Sequence, residues 1–173
     1  MPHATASQTI GPYWHLVEDK DWADLTRFGA EGEKIVLTGT IYDGDGLPCP
    51  DACVEIWQTD PPVSDTFPGF GRSNSDANGV FRLVTVKPGP VSGRGNAQQA
   101  PHIAIWVLSR GLMKGLATRA YFQDEPLNET DPLLQSIEEP ARRSTLVATP
   151  GAPGSWRFDI HLQGDRETVF LDV

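Results

Sequence analysis

The chain is poor in cysteine, in basic residues and in long apolar runs. Its two cysteines, Cys49 and Cys53, stand in 173 residues with no further Cys or His at metal spacing. That excludes a zinc site of the usual kind and leaves reduced structural thiols as the reading. Fourteen Lys and Arg stand against 23 Asp and Glu, a formal net charge of −9. Phosphate backbones and anionic lipid surfaces need clustered cations, so neither nucleic acid nor membrane is expected as a partner. No stretch has the roughly 20 apolar residues of a spanning helix. The opening MPHATASQT has neither a basic n-region nor an apolar h-region, so a cytoplasmic protein is expected. No nucleophile motif, phosphate loop or metal cluster stands out.

What is abundant is turn-forming residue and β-branched run. Gly (17) and Pro (15) are scattered among apolar segments that make up 39% of the chain, which describes one domain with many turns. The pattern predicts strands over 34–43, 52–58, 80–86, 102–108 and 117–123, then around 145–148, 156–162 and 168–172. The strands at 102–108 and 117–123 are expected to pair. Residues 59–75 and 91–100 read as loops. One short helix is expected over 131–138, with Asp131 as N-cap and Pro132 at N1. The fold class is therefore all-β, an antiparallel β-sandwich over 34–173 with an extended N-terminal arm over 1–33 and one short helix. Within the arm, a helical turn is expected around 22–28.

Several ordered motifs carry a resemblance. These are SQTIGPYWH, then GTIYDGDGLPCPDACVEIWQTD, FGRSNSDANGVFRLVTVKPGPVSGRG, QAPHIAIWVLSRG, TRAYFQDEPL, PARRSTLVATP and SWRFDIHLQGDRETVFLDV. Together they resemble the intradiol ring-cleavage dioxygenases over most of the chain, and in particular the branch of the family that cleaves protocatechuate. The family holds ferric iron with two tyrosines and two histidines. Here the two histidine positions, separated by one residue on a strand, read His102 and Ala104; the tyrosine expected after Lys-Pro-Gly-Pro is Val91; and residues 59–69 contain no tyrosine. One remaining donor does not hold ferric iron. The resemblance thus implies the iron-free member of a heteromeric enzyme. It binds no metal itself and contributes no catalytic residue, while Fe(III) is bound by a homologous iron-binding partner chain and the substrates are an aromatic acid and O2.

The same resemblance assigns substrate-binding roles to Thr9, Gly11, Pro12 and Tyr13 in the arm and to Arg119 in TRAYF. The residue types suit the task. Gly allows close backbone approach to a flat ring, Pro fixes a turn, and Tyr offers a ring edge and a phenolic donor. A guanidinium grips a carboxylate through two parallel hydrogen bonds. Taken alone, Gly-Pro-Tyr is an anchor for a terminal arm, Arg119 a solvated strand residue, and His102 a packed strand histidine. Trp57 and Trp106 read as packing or interface residues. The alternative for the whole chain is a noncatalytic, prealbumin-like sandwich that binds or carries a ligand. A generic module of that kind has no need of the arm motif, TRAYF and the RRSTL segment together.

Overall fold

The computed structural model describes residues 4–16 and 18–172. Residues 1–3, the outer tip of the expected arm, lie outside the described residues. The protein is all-β. Its strands are β1 (Lys34–Tyr42), β2 (Cys53–Trp57), β3 (Phe70–Asn74), β4 (Val80–Val86), β5 (Val91–Ser92), β6 (Gln98–Gln99), β7 (His102–Leu108), β8 (Leu116–Phe122), β9 (Val147–Pro150), β10 (Ser155–Arg157) and β11 (Ile160–His161).

Among the described residues one large sheet runs in the order β11-β1-β10-β9-β8-β7-β2-β3, with β4 paired to β1, while β5 and β6 form a separate two-stranded hairpin. The expected β7–β8 pairing is present and places Ala104 opposite Arg119 and His102 opposite Tyr121. The sheet is not wholly antiparallel, which corrects the sequence expectation. β1 runs parallel to both β10 and β11, and β8 runs parallel to β9. The chain returns to these strands only after long connections, and parallel neighbours need such crossovers.

Alternation builds the core. Ile103, Ile105 and Val107 of β7 are buried beside Ile35 and Leu37 of β1 and Val54 and Ile56 of β2. His102, Ala104 and Trp106 therefore share the opposite face of β7, where burial is partial. Gly39 in β1 is required by contact: a Cβ there would stand 1.7 Å from the carbonyl oxygen of Phe158.

Three loop or helix expectations also change. Phe70–Asn74 is a strand inside the expected 59–75 loop, and residues 91–100 contain the β5–β6 hairpin. The expected helix forms as α1 (Pro132–Ser136) with Asp131 capping the N–H groups of Leu133 and Leu134. A second helix, α2 (Pro140–Ser144), follows it, so the expectation of one short helix is corrected to two. Short 3-10 turns occupy Trp14–Leu16, Lys20–Ala23 and Pro126–Glu129. The last expected strand is reduced to an isolated bridge between Leu171 and Ala117.

The segment after the first 3-10 turns bridges the two ends of the sheet. Leu25 donates its N–H to Val84 O in β4 at 2.9 Å. Its side chain is fully buried and lies against Gly71 of β3, where a Cβ would meet Leu25 Cδ1 at 2.2 Å. A second, smaller apolar cluster of Ala100, Tyr121, Leu134 and Leu146 seats α1 beside β8.

Candidate functional site

Arg119 and Tyr121 are two residues apart on β8 and so project to one face, away from Ala120 and Phe122 in the main core. Arg119 Nη1 donates to Gln99 Oε1 at 2.7 Å and to the Tyr121 hydroxyl at 3.3 Å. That hydroxyl donates onward to Asp131 Oδ1 at 3.0 Å. Asp131 is fully buried, and its Oδ2 accepts the Ala100 N–H at 2.9 Å. Burial raises the Tyr121 phenol above its ordinary pKa, against the lowering pull of Arg119, so this hydroxyl stays protonated as a donor.

His102 lies on the same face, half-buried, with Nδ1 at 2.7 Å from Ala100 O and its ring tilted against Tyr121 at 5.3 Å between centroids. Burial holds its pKa below the usual imidazole value; the Ala100 carbonyl opposes that shift and the Arg119 charge reinforces it. These residues do not fit a ferric ion. Val91 and Ala104 present hydrocarbon, and His102 Nδ1 already faces a carbonyl oxygen. Among the described residues no group of three or more His, Cys, Asp or Glu side chains gathers to hold a metal.

The arm residues lie elsewhere. Thr9 Oγ1 donates to Ser109 O at 2.9 Å, and Trp14 Nε1 donates to Asp51 O at 2.8 Å. Tyr13 between them is 74% exposed. Gly11 has φ +75° with nothing within 4 Å of a Cβ built on it. Within this chain the glycine is thus demanded by its left-handed backbone and not by close approach. Ser109 is five residues along the chain from Ala104, the cross-strand partner of Arg119, a separation of roughly 17 Å at strand rise. The single chain therefore does not bring the arm and Arg119 together.

A cavity of about 460 Å³ is lined by Arg142, Thr145, Arg157, His161 and Arg166 among others, and none of Thr9, Gly11, Pro12, Tyr13 or Arg119 borders it. Two of its cations are already paired, Arg142 with Glu167 at 3.6 Å and Arg157 with Asp159 at 2.9 Å. Both cysteines are free, and burial, aided by the Glu55 charge, pushes the Cys53 thiol up to about 12. That environment is unreactive, as expected for a structural thiol.

Gln99, Tyr121 and Asp131 are members of the Arg119 cluster that the sequence expectations did not include. The Arg-x-Tyr spacing on a strand was the available signal for Tyr121, because it puts both side chains on one face. Asp131 announced itself as a helix cap; its second oxygen and its reach to Tyr121 depend on tertiary packing.

A family model described as Dioxygenase matches residues 11–164. The chain belongs to the intradiol ring-cleavage dioxygenases, an enzyme family. It is 38% identical to a protocatechuate 3,4-dioxygenase alpha chain of Pseudomonas putida, over 97% of this chain and 96% of that one. It is 40% identical to the alpha chain from Burkholderia cepacia, over 98% and 97% respectively. Similarity to the Burkholderia cepacia beta chain is 34% over 91% of this chain and 75% of the other. Among solved structures, the dioxygenase domain of a dioxygenase carbohydrate-binding protein fusion from Streptomyces sp. SirexAA-E is similar with a TM-score of 0.65 at 25% identity, covering 96% of this chain and all of that one. No helix among the described residues is long and apolar enough to cross a membrane.

Proposed function

We propose that this chain is the iron-free subunit of a protocatechuate 3,4-dioxygenase, completing the substrate pocket of a homologous chain that holds Fe(III). The complex cleaves protocatechuate between its hydroxyl-bearing carbons with O2 to give 3-carboxy-cis,cis-muconate. The observation that carries this reading is a contrast: the iron-ligand positions hold Val91 on β5 and Ala104 on β7, while Arg119 on β8, the cross-strand partner of Ala104, is braced by Gln99 and Tyr121. The similarity to alpha chains over nearly the full length of both partners supports the same assignment.

In this reading residues 34–173 are a sandwich that carries Arg119, and residues 1–33 are an arm that carries Thr9, Gly11, Pro12 and Tyr13 into the shared pocket. Arg119 binds the ring carboxylate and thereby fixes which edge of the ring faces the metal. Tyr13, largely exposed in the single chain, packs beside the ring and helps exclude water. Assembly has to bring these two parts to one pocket, since they lie apart here. Bound iron supplies the redox chemistry toward O2; this chain's share is binding and orientation, which strongly affects rate when geometry is tight. The enzyme works in the cytoplasm.

The test is reconstitution. The purified chain alone should contain no stoichiometric iron, show no visible tyrosinate-to-iron band and consume no O2 with protocatechuate. Mixed with the homologous iron-binding chain, it should form a stable complex whose activity exceeds that of either chain. An iron-coloured, active isolated chain would overturn the reading.

A further inference from the structure

Arg119 is gripped by two acceptors, and one buried carboxylate bonds to one of them and to the backbone beside the other. Asp131 Oδ1 accepts the Tyr121 hydroxyl at 3.0 Å. Its Oδ2 accepts the N–H of Ala100, the residue next to Gln99, which is the other acceptor for Arg119 Nη1. Oδ1 also takes the N–H groups of Leu133 and Leu134 at 2.9 and 3.0 Å. The carboxylate is thereby pinned to three backbone positions. Neither Asp131 nor Tyr121 is exposed to solvent, and the Tyr121 ring is packed among Ala100, Leu134 and Leu146.

This matters because an arginine side chain is long and flexible, and a two-pronged grip on a carboxylate works only when the guanidinium plane is fixed. Nη1 is occupied inside the chain, so the edge formed by Nε and Nη2 is the one that would take a ligand carboxylate. We infer that Asp131 is a positioning residue for substrate specificity, which fixes Tyr121 and Gln99 so that Arg119 presents its Nε and Nη2 edge to the carboxylate of an aromatic acid. The inference rests on the proposed role of Arg119 and adds to it a buried relay of Asp131, Tyr121 and Arg119 within this chain. Asp131 touches no substrate; it acts through its neighbours.

The experiment uses the complex with the iron-binding chain and three variants, Arg119→Ala, Tyr121→Phe and Asp131→Asn. Two quantities are read. One is the ratio of kcat/KM for protocatechuate over catechol, which lacks the carboxylate. The other is the affinity ratio of 4-hydroxybenzoate over phenol as competing ligands without turnover. Arg119→Ala should lower both ratios most. Tyr121→Phe, which deletes one oxygen and keeps the packed ring, should lower both by about threefold to tenfold, the scale of one lost hydrogen bond. The change should appear chiefly in KM for protocatechuate. Asp131→Asn with its oxygen at the helix cap keeps the Tyr121 bond but turns an amide against the Ala100 N–H, and should lower both ratios through the loosened Gln99. If Asp131→Asn does not assemble, Tyr121→Phe decides. A Tyr121→Phe complex whose ratios stay within about twofold of the parent, while Arg119→Ala collapses them, overturns the positioning role. Unchanged ratios in Arg119→Ala overturn the carboxylate reading beneath it.

Discussion

The outer and inner halves of the N-terminal segment are built on different terms. Residues 4–16 are exposed or half-buried, and their side chains reach the rest of the protein through Thr9 to Ser109 O, Trp14 to Asp51 O and the approach of His15 Nδ1 to Asp51 Oδ1 at 3.9 Å. Residues 20–30 instead enter the core. Leu25 is fully buried, Thr26 and Ala30 are each 6% exposed, and Asp24 braces the turn by accepting both the N–H and the hydroxyl of Thr26 at 2.8 and 2.7 Å. One continuous segment thus roots itself in the sheet at Leu25 while its outer half, over residues 4–16, stays at the surface.

The largest loss is expected at the root. Leu25→Ala removes a buried side chain seated between β3 and β4, and should cost about 2 to 5 kcal/mol of stability. Chemical denaturation followed by tryptophan fluorescence would show it as a lower midpoint. A smaller loss is expected at the outer half, where Trp14→Phe removes the bond to Asp51 O but keeps an aromatic ring. It should cost about 0.5 to 1.5 kcal/mol, with amide exchange quickening in residues 9–16 and unchanged at Leu25. Equal quickening in both halves would mean that they open together. The smallest effect on stability belongs to Tyr13→Phe, within about 0.5 kcal/mol, because the side chain is 74% exposed. In the complex the same change should raise KM for protocatechuate, which separates a group used by a second chain from one used by its own.

Much of this frame was legible in the sequence, and the exceptions are physical ones. β1, β4 and β7 match their predicted spans to within a residue, because β-branched runs bounded by Gly and Pro declare themselves locally. Asp131 and Pro132 declared α1 in the same way. β3 was hidden because Gly71, Ser73 and Asn74 have low strand propensity. What makes it a strand is its ladder to β2 and the fit of Leu25 over Gly71, both long-range. The parallel pairings of β1 and β8 were hidden for the same reason, since a periodicity of two is the same for either direction of pairing. At the candidate site, Arg119 was found through a family motif and Tyr121 was within reach of a spacing argument. The link from Asp131 to both Tyr121 and Ala100 was not, because it joins α1, β8 and the approach to β7 through a single side chain.

The rooting of Leu25 also sets a leash. The 3-10 turn capped by Asp19 fixes the chain just ahead of Leu25, and the six steps back from Asp19 to Tyr13 span at most about 20 Å even if fully extended. A ring tethered that tightly, once its neighbours let go of Ser109 and Asp51, searches a small volume, so its effective concentration near any pocket inside that radius is high, of millimolar order for short tethers. A pocket outside the radius is never visited at all. Under the proposed assembly the arm is thus a ruler: a second chain that uses Tyr13 has to open its pocket within one short tether of the turn at Lys20–Ala23.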